Sequence, residues 1–144
     1  METKFELASA QWFREVFRLF EEAAKAHPDI EFSVCEVFRD VPERLEPQPD
    51  GTLAWHATIR GGRAVCAMGE VDAAAVDVKT VAEWEAVLPA ARYKIDFGDP
   101  ADLARYQQLT AKATAEGRIV RHGDVSKASP SLFAVHNALA ERTL

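Results

Sequence analysis

The stretch from Thr52 to Thr80 constrains the fold of this chain more than any other. Its first part places apolar residues at every second position, the pattern of a strand with one buried face: Leu53, Trp55, Ala57 and Ile59. Gly61-Gly62 follows and can supply the positive φ angles of a tight hairpin turn. A partner strand comes next, and Val76 and Val78 indicate a third extended segment. The pattern predicts an antiparallel sheet with one apolar face that other elements must cover.

The segments before the hairpin predict part of that cover. Residues 9–26 have the apolar stripe of an amphipathic helix, with Ser9 as its N-cap. Residues 30–39 alternate as a strand, but Glu36 interrupts its apolar face. Such an acid lies either at a solvated sheet edge or in the interior with a partner and a shifted pKa. The edge position is the favoured interpretation.

The segments after the hairpin predict three helices and one strand. Thr80-Val-Ala-Glu83 has the capping-box pattern of a helix start, and Asp99-Pro100 starts another helix. That helix is predicted to direct inward the residues Leu103, Tyr106 and Leu109. Residues 118–122 form a short strand, and Ser129-Pro130 begins a terminal helix. The order of elements predicts the α+β class, with about five strands covered by helices.

Length and composition indicate one domain over residues 1–144, since the chain is long enough to bury its own core. The net charge of −6 argues against a nucleic-acid partner. Stable membrane insertion is not expected, because no apolar run approaches the ~20 residues that span a bilayer. The charged N-terminus and two distant cysteines, Cys35 and Cys66, favour the cytoplasm.

Motifs of common enzyme chemistry are missing from the sequence. It has no phosphate-binding loop, nucleophile elbow or metal-ligand spacing, so no catalytic residue, metal or cofactor is predicted. An alternative remains open, in which a small cofactor-free isomerase, cyclase or hydrolase uses His56, His122 or Glu36 as acid and base. Arg118, Arg121 and the nearby Lys127 either bind an anionic headgroup or are simply solvated.

Several segments together resemble the type-2 sterol carrier protein family. They are Trp55 to Gly62, the Val76-Asp77-Val78 strand, and Gly117 to Asp124, which is similar to that family's glycine-bounded strand ending in Gly-Asp. The likeness covers most of the chain, although the stretch between Leu88 and Gly117 is longer than is usual in the family. The resemblance implies a sheet covered by helices, with a C-terminal helix and a hydrophobic tunnel.

The resemblance implies a carrier of fatty acids, acyl-CoA esters or sterol-like molecules, or a module that presents them to a lipid-metabolising enzyme. Large apolar residues on the converging elements are predicted to contact the ligand: Trp12, Phe17, Phe20, Phe32, Val34, Trp55, Met68, Trp84, Leu132 and Phe133. A purely structural interaction module is a third hypothesis. The sequence does not distinguish side chains that line a tunnel from side chains that fill a core.

Overall fold

The computed structural model describes residues 3–144, which form a five-stranded sheet with the helices on one face. The strands are β1 (Phe32–Arg39), β2 (Leu53–Arg60), β3 (Arg63–Met68), β4 (Val78–Glu83) and β5 (Ile119–Gly123). The α-helices are α1 (Ala10–Ala26), α2 (Trp84–Ala91), α3 (Pro100–Ala115) and α4 (Phe133–Glu141). The strand order is β3-β2-β1-β4-β5. The α+β class and the C-terminal helix are confirmed.

The hairpin prediction is also confirmed. Gly61 and Gly62 join β2 to β3 with φ angles of 59° and 76°. Positive φ angles are unfavourable for residues with a side chain, so glycine suits both positions. Trp55, Ala57 and Ile59 are buried on one face of β2. We call this helix-covered side of the sheet the inner face and the opposite side the outer face.

Helix α1 packs across the inner face over β2 and β3. The predicted N-cap is confirmed, because the Ser9 hydroxyl accepts a bond from the Trp12 amide at 3.2 Å. The Trp12 ring meets Phe38 at 5.7 Å between centroids, and the Phe20 ring meets Trp55 at 5.4 Å. These edge-to-face and tilted contacts fix the helix on the sheet.

One strand pair differs from the predicted antiparallel arrangement. β1 and β4 are parallel, with Val34 opposite Val78, whereas the other three pairs are antiparallel. The reason is the connection formed by residues 69–77, which passes over the outer face before β4 begins. Its Val71 and Val76 pack there against a small cluster around Cys35.

The end of this connection is fixed by Asp77. Its carboxylate accepts bonds from the Ser33 amide at 2.9 Å and from the Ser33 hydroxyl at 3.1 Å. Gly123 at the end of β5 lies against the same residue, and a Cβ at Gly123 would come within 2.0 Å of the Asp77 carbonyl oxygen. The φ angle of Gly123 is +99°. Only glycine fits this contact, so the two glycine- and aspartate-containing segments noted in the sequence meet in the fold.

The capping-box prediction is wrong. Thr80 and Glu83 belong to β4, and α2 begins directly at Trp84 without a side-chain cap. β4 pairs on both sides, with β1 and with β5, so sheet pairing overrides the local helix-start pattern. Ser129-Pro130 begins a 3₁₀ turn, and α4 follows at Phe133.

Candidate ligand-binding site

A cavity of about 330 Å³ lies between the inner face and the helices. Its volume is at the lower end of the ~300–1,000 Å³ typical of small-molecule sites. The wall is largely apolar, with contributions from α1, the three central strands and α4. Three lining residues, Thr114, Arg121 and Phe133, are also exposed, so the cavity meets solvent between α3, β5 and the start of α4.

Seven of the ten predicted contact residues line this cavity: Trp12, Phe20, Phe32, Val34, Trp55, Leu132 and Phe133. The other three lie elsewhere. Phe17 packs beside the Trp55 ring, 6.2 Å away, and Met68 is 48% exposed on the edge strand β3. Trp84 is buried and donates its indole N–H to the Leu7 carbonyl at 2.8 Å. The ligand-contact role of all ten remains a prediction.

A row of four side chains crosses the floor of the cavity. Trp55, Glu36, Thr80 and Arg121 are direct neighbours on β2, β1, β4 and β5, in register on the inner face. All four line the cavity. We call this set the inner row. It is the main polar feature of the sheet surface beneath the helices.

Glu36 is the centre of the inner row. One of its carboxyl oxygens accepts a bond from the Trp55 indole N–H at 2.9 Å. Within residues 3–144, no group donates to its other oxygen. Burial raises the pKa of Glu36, and the Trp55 bond and the nearby Arg121 charge only partly oppose that effect. The predicted edge position is therefore wrong, because β1 is the central strand and Glu36 faces the cavity.

Arg121 is at the open end of the inner row. Its Nε donates to the Thr80 hydroxyl at 3.3 Å, and no carboxylate in the described part of the chain forms an ion pair with it. The other two cations of this strand end differ. Arg118 pairs with Glu83 and Glu116, and Lys127 lies 3.9 Å from the Asp77 carboxylate. Arg121 is thus the one of the three that remains available to a ligand.

Helices α3 and α4 place further polar groups over the cavity. Burial raises the pKa of the Tyr106 phenol, with Arg121 lowering it and Glu36 raising it further. The His136 Nε2–H donates to the Tyr93 carbonyl at 2.9 Å, which leaves Nδ1 as an acceptor. Burial lowers the pKa of His136, and that backbone bond partly opposes the effect. Tyr106 and His136 contact each other at 5.1 Å between ring centroids.

The inward face of α3 is only partly the predicted one. Tyr106 lines the cavity as expected, but Leu103 and Leu109 are 44% and 39% exposed. Thr110 and Thr114 line the cavity in their place. The helix therefore presents hydroxyl groups to the cavity and leucines to solvent.

The structure does not bring together the three acid–base candidates of the alternative hypothesis. His56 and His122 lie on the outer face, in a second row with Cys35 and Lys79. Glu36 faces the opposite side of the sheet. The His56 Nδ1–H donates to the Gly69 carbonyl at 2.9 Å, which is a structural contact. An acid–base group made of these three residues is excluded by the geometry.

Sequence reasoning did not select Thr80 or His136 as ligand contacts, although both line the cavity. The local pattern places Thr80 in a helix cap, and only its strand pairing puts it beside Glu36. The alternation of β1 does place Glu36 on the apolar face, which is the available signal for a polar group inside the cavity. Chemically, the site combines an apolar wall with hydrogen-bonding groups at its floor and a cation at its mouth, as ligand sites commonly do. No cluster of metal-ligating side chains occurs within residues 3–144.

Comparison with known proteins shows that this chain is similar in fold to solved structures. No protein-family model matches the chain, and the search of curated proteins finds no match. The crystal structure of a sterol carrier protein 2 aligns with a TM-score of 0.51 at 15% identity, covering 95% of this chain and 99% of the other. The protein therefore has the sterol carrier protein 2 fold.

Two further solved structures align at lower scores. A conserved hypothetical protein from Thermus thermophilus has a TM-score of 0.45 at 19% identity, covering 96% of this chain and 92% of that one. The solution structure of palmitated SCP2L2 from Aedes aegypti has a TM-score of 0.45 at 12% identity, covering 94% of this chain and 96% of that one. None of the helices within residues 3–144 is long and apolar enough to cross a membrane.

Proposed function

We propose that this protein binds an extended hydrophobic molecule, such as a fatty acid, an acyl-CoA ester or a sterol-like compound, in the cavity above the inner row. The single observation that supports this is the apolar cavity of about 330 Å³ beneath the converging helices. The shared fold with a sterol carrier protein 2 is consistent with it. In this proposal the protein acts in the cytoplasm as a carrier, or presents its ligand to a lipid-metabolising enzyme.

The energetics of such binding come from the apolar wall. Each methylene group removed from water contributes about 0.8 kcal/mol. Roughly a dozen methylenes contribute about 10 kcal/mol. After an association cost of about 4 kcal/mol, about −6 kcal/mol remains, which corresponds to a dissociation constant of tens of micromolar. The aromatic rings of Trp12, Phe20 and Trp55 provide a rigid wall for the chain.

A series of linear alcohols and fatty acids of increasing length tests this proposal. Tryptophan fluorescence follows binding, because Trp12 and Trp55 line the cavity. The dissociation constant should fall about fourfold for each added methylene, until the chain fills the cavity. The same weak affinity at every length would contradict the proposal.

A matched pair of substitutions on α3 locates the site. Thr110 lines the cavity, whereas Gln108 on the same helix is exposed. Thr110→Phe should fill part of the cavity and shorten the longest chain that binds. Gln108→Phe adds the same ring to the solvent side and should leave the series unchanged. Equal effects of the two variants would place the ligand elsewhere.

A further inference from the structure

We infer that Glu36 is a specificity-determining residue that selects hydrophobic ligands carrying a hydroxyl group, which bonds to the free oxygen of its side chain. This inference rests on the proposed function and names the ligand class of the same cavity. The residues involved are Glu36, its partner Trp55, and the two other members of the inner row.

The first step is that only one of the two carboxyl oxygens of Glu36 is hydrogen-bonded within the described chain. Trp55 donates to one oxygen at 2.9 Å, while no group within residues 3–144 donates to the other. Arg121 belongs to the same row but forms no ion pair with Glu36 in the described chain, and its Nε is bonded to Thr80. Glu36 is half-buried and lines the cavity, so its unbonded oxygen can be reached from the cavity by a partner from outside the chain.

The second step concerns what happens when the cavity fills. Water can reach the free oxygen of Glu36 while the cavity holds no ligand. A purely hydrocarbon ligand would displace that water and leave the oxygen unpaired in an apolar site, which is unfavourable. A ligand with a hydrogen-bonding group at this depth restores the lost bond. The inner row therefore penalises plain hydrocarbon and favours a ligand with a polar group on its chain or ring.

The third step identifies the polar group as a hydroxyl. A hydroxyl both donates and accepts, so it matches Glu36 as a carboxylate or as a carboxylic acid. A ligand carboxylate placed beside Glu36 would instead repel the ionised form at low dielectric. Thr80, Thr110 and Tyr106 add further hydroxyl groups around the same space. Long-chain alcohols, hydroxylated acyl chains and sterol-like alcohols share this chemistry.

Two isomeric probes separate the hydroxyl from the apolar chain. 1-Decanol and 1-methoxynonane contain the same atoms, but only the alcohol can donate a hydrogen bond. We expect decanol to bind roughly 10- to 100-fold more tightly at mildly alkaline pH, which favours ionised Glu36. A site built to bond a hydroxyl rejects the analogue that lacks one.

Variants of Glu36 assign the difference to this residue. Glu36→Leu should remove the preference, so that decanol and the ether bind alike. Glu36→Gln keeps the size of the side chain and the acceptor for Trp55. Because its amide can donate to the ether oxygen, the ratio of the affinities for decanol and the ether should decrease. Glu31→Gln is the matched control, because it removes the same charge from an exposed residue just before β1 and should leave the preference intact.

The outcomes divide cleanly between the inference and the proposed function. Equal affinity of the two probes in the wild type, or a preference that survives in both Glu36 variants, would overturn the inference alone, provided that affinity still rises with chain length. Decanoate that binds more tightly than decanol and loses affinity in Arg121→Met would also overturn it, since the headgroup would then lie at the mouth. Failure of every probe at every length would overturn both.

Discussion

Two rows of side chains cross the same four strands on opposite faces of the sheet, one residue apart. The inner row contains Trp55, Glu36, Thr80 and Arg121. The outer row contains His56, Cys35, Lys79 and His122. Both rows place a charged group over the middle of the sheet, so the strands alone do not distinguish them. The difference lies in how the charges are paired.

Polar side chains of the outer row are hydrogen-bonded to other groups of the protein. Lys79 donates to the Glu70 carboxylate at 2.6 Å, and His56 donates to the Gly69 carbonyl, so the 69–77 connection satisfies both. Cys35 is fully buried beneath this connection, and burial raises the pKa of its thiol. In the inner row, one oxygen of Glu36 has no donor and Arg121 has no ion-pair partner within residues 3–144. We therefore expect inner-row substitutions to change ligand binding and outer-row substitutions to leave it unchanged.

The largest expected effect comes from breaking the strand register on which both rows depend. Gly123→Ala would place a Cβ 2.0 Å from the Asp77 carbonyl oxygen at a φ of +99°. Because backbone must move to relieve this clash, we expect a loss of about 3 kcal/mol or more of unfolding free energy. Urea unfolding followed by circular dichroism measures it.

Gly117→Ala is the control for this substitution. Gly117 also has a positive φ, +76°, but open space where the Cβ would be. Only the conformational cost applies, about 1 kcal/mol. If the two variants were equally stable, the contact of β5 with Asp77 would not be the feature that fixes the strand register of the inner row.

A smaller effect is expected from the charge of Glu36. Its folded-state pKa is raised above the unfolded value, so the folded protein binds the extra proton in the window between the two. Stability is therefore lost as the pH rises from the unfolded value, near 4.5, to the folded one, by about 1.4 kcal/mol for each pH unit between them. Glu36→Gln cannot titrate and should lack this loss.

The measurement is the difference in unfolding free energy between wild type and Glu36→Gln across this pH range. Taking the difference cancels the titration of other carboxylates. The variant should gain relative stability as the pH rises and then reach a constant difference. If the variant instead lost stability relative to the wild type as the pH rises, Glu36 would be stabilised as an anion. That result would contradict its description as an incompletely paired group in the cavity.

The smallest effect is expected in the outer row. Lys79→Met keeps the buried stem but removes the ion pair with Glu70, whose own side chain is 55% exposed. Such pairs contribute about 1 kcal/mol or less, so stability should fall by no more than that. Decanol affinity should not change. A clear loss of affinity would show that the outer face contributes to the site and would remove the contrast between the rows.

The elements could be predicted from local pattern where burial repeats with a regular period. The Gly61-Gly62 hairpin and the helix capped by Ser9 are examples. The capping box failed because Thr80 and Glu83 also suit a strand, and only pairing with β1 and β5 decides between the two. Local sequence does not contain that information.

The candidate site was harder to predict for the same reason. The alternation of β1 places Glu36 on the apolar face, but strand order is needed to show that β1 is central and covered. The inner row joins residues from four strands, and its register follows from the parallel β1–β4 pair that the sequence did not reveal. Whether aromatic residues line or fill a space is likewise decided by packing alone.

Fluorine NMR of protein labelled with 5-fluorotryptophan tests the central claim, that the ligand occupies the cavity above the inner row. The three tryptophans report different places: Trp12 and Trp55 line the cavity, whereas Trp84 lies outside it, with the Arg44 guanidinium 5.8 Å from its ring. Titration with decanol should shift the signals of Trp12 and Trp55, with the larger change at Trp55 because it bonds to Glu36, and leave Trp84 unmoved. Saturable binding that shifts Trp84 alone, or none of the three, would contradict the account.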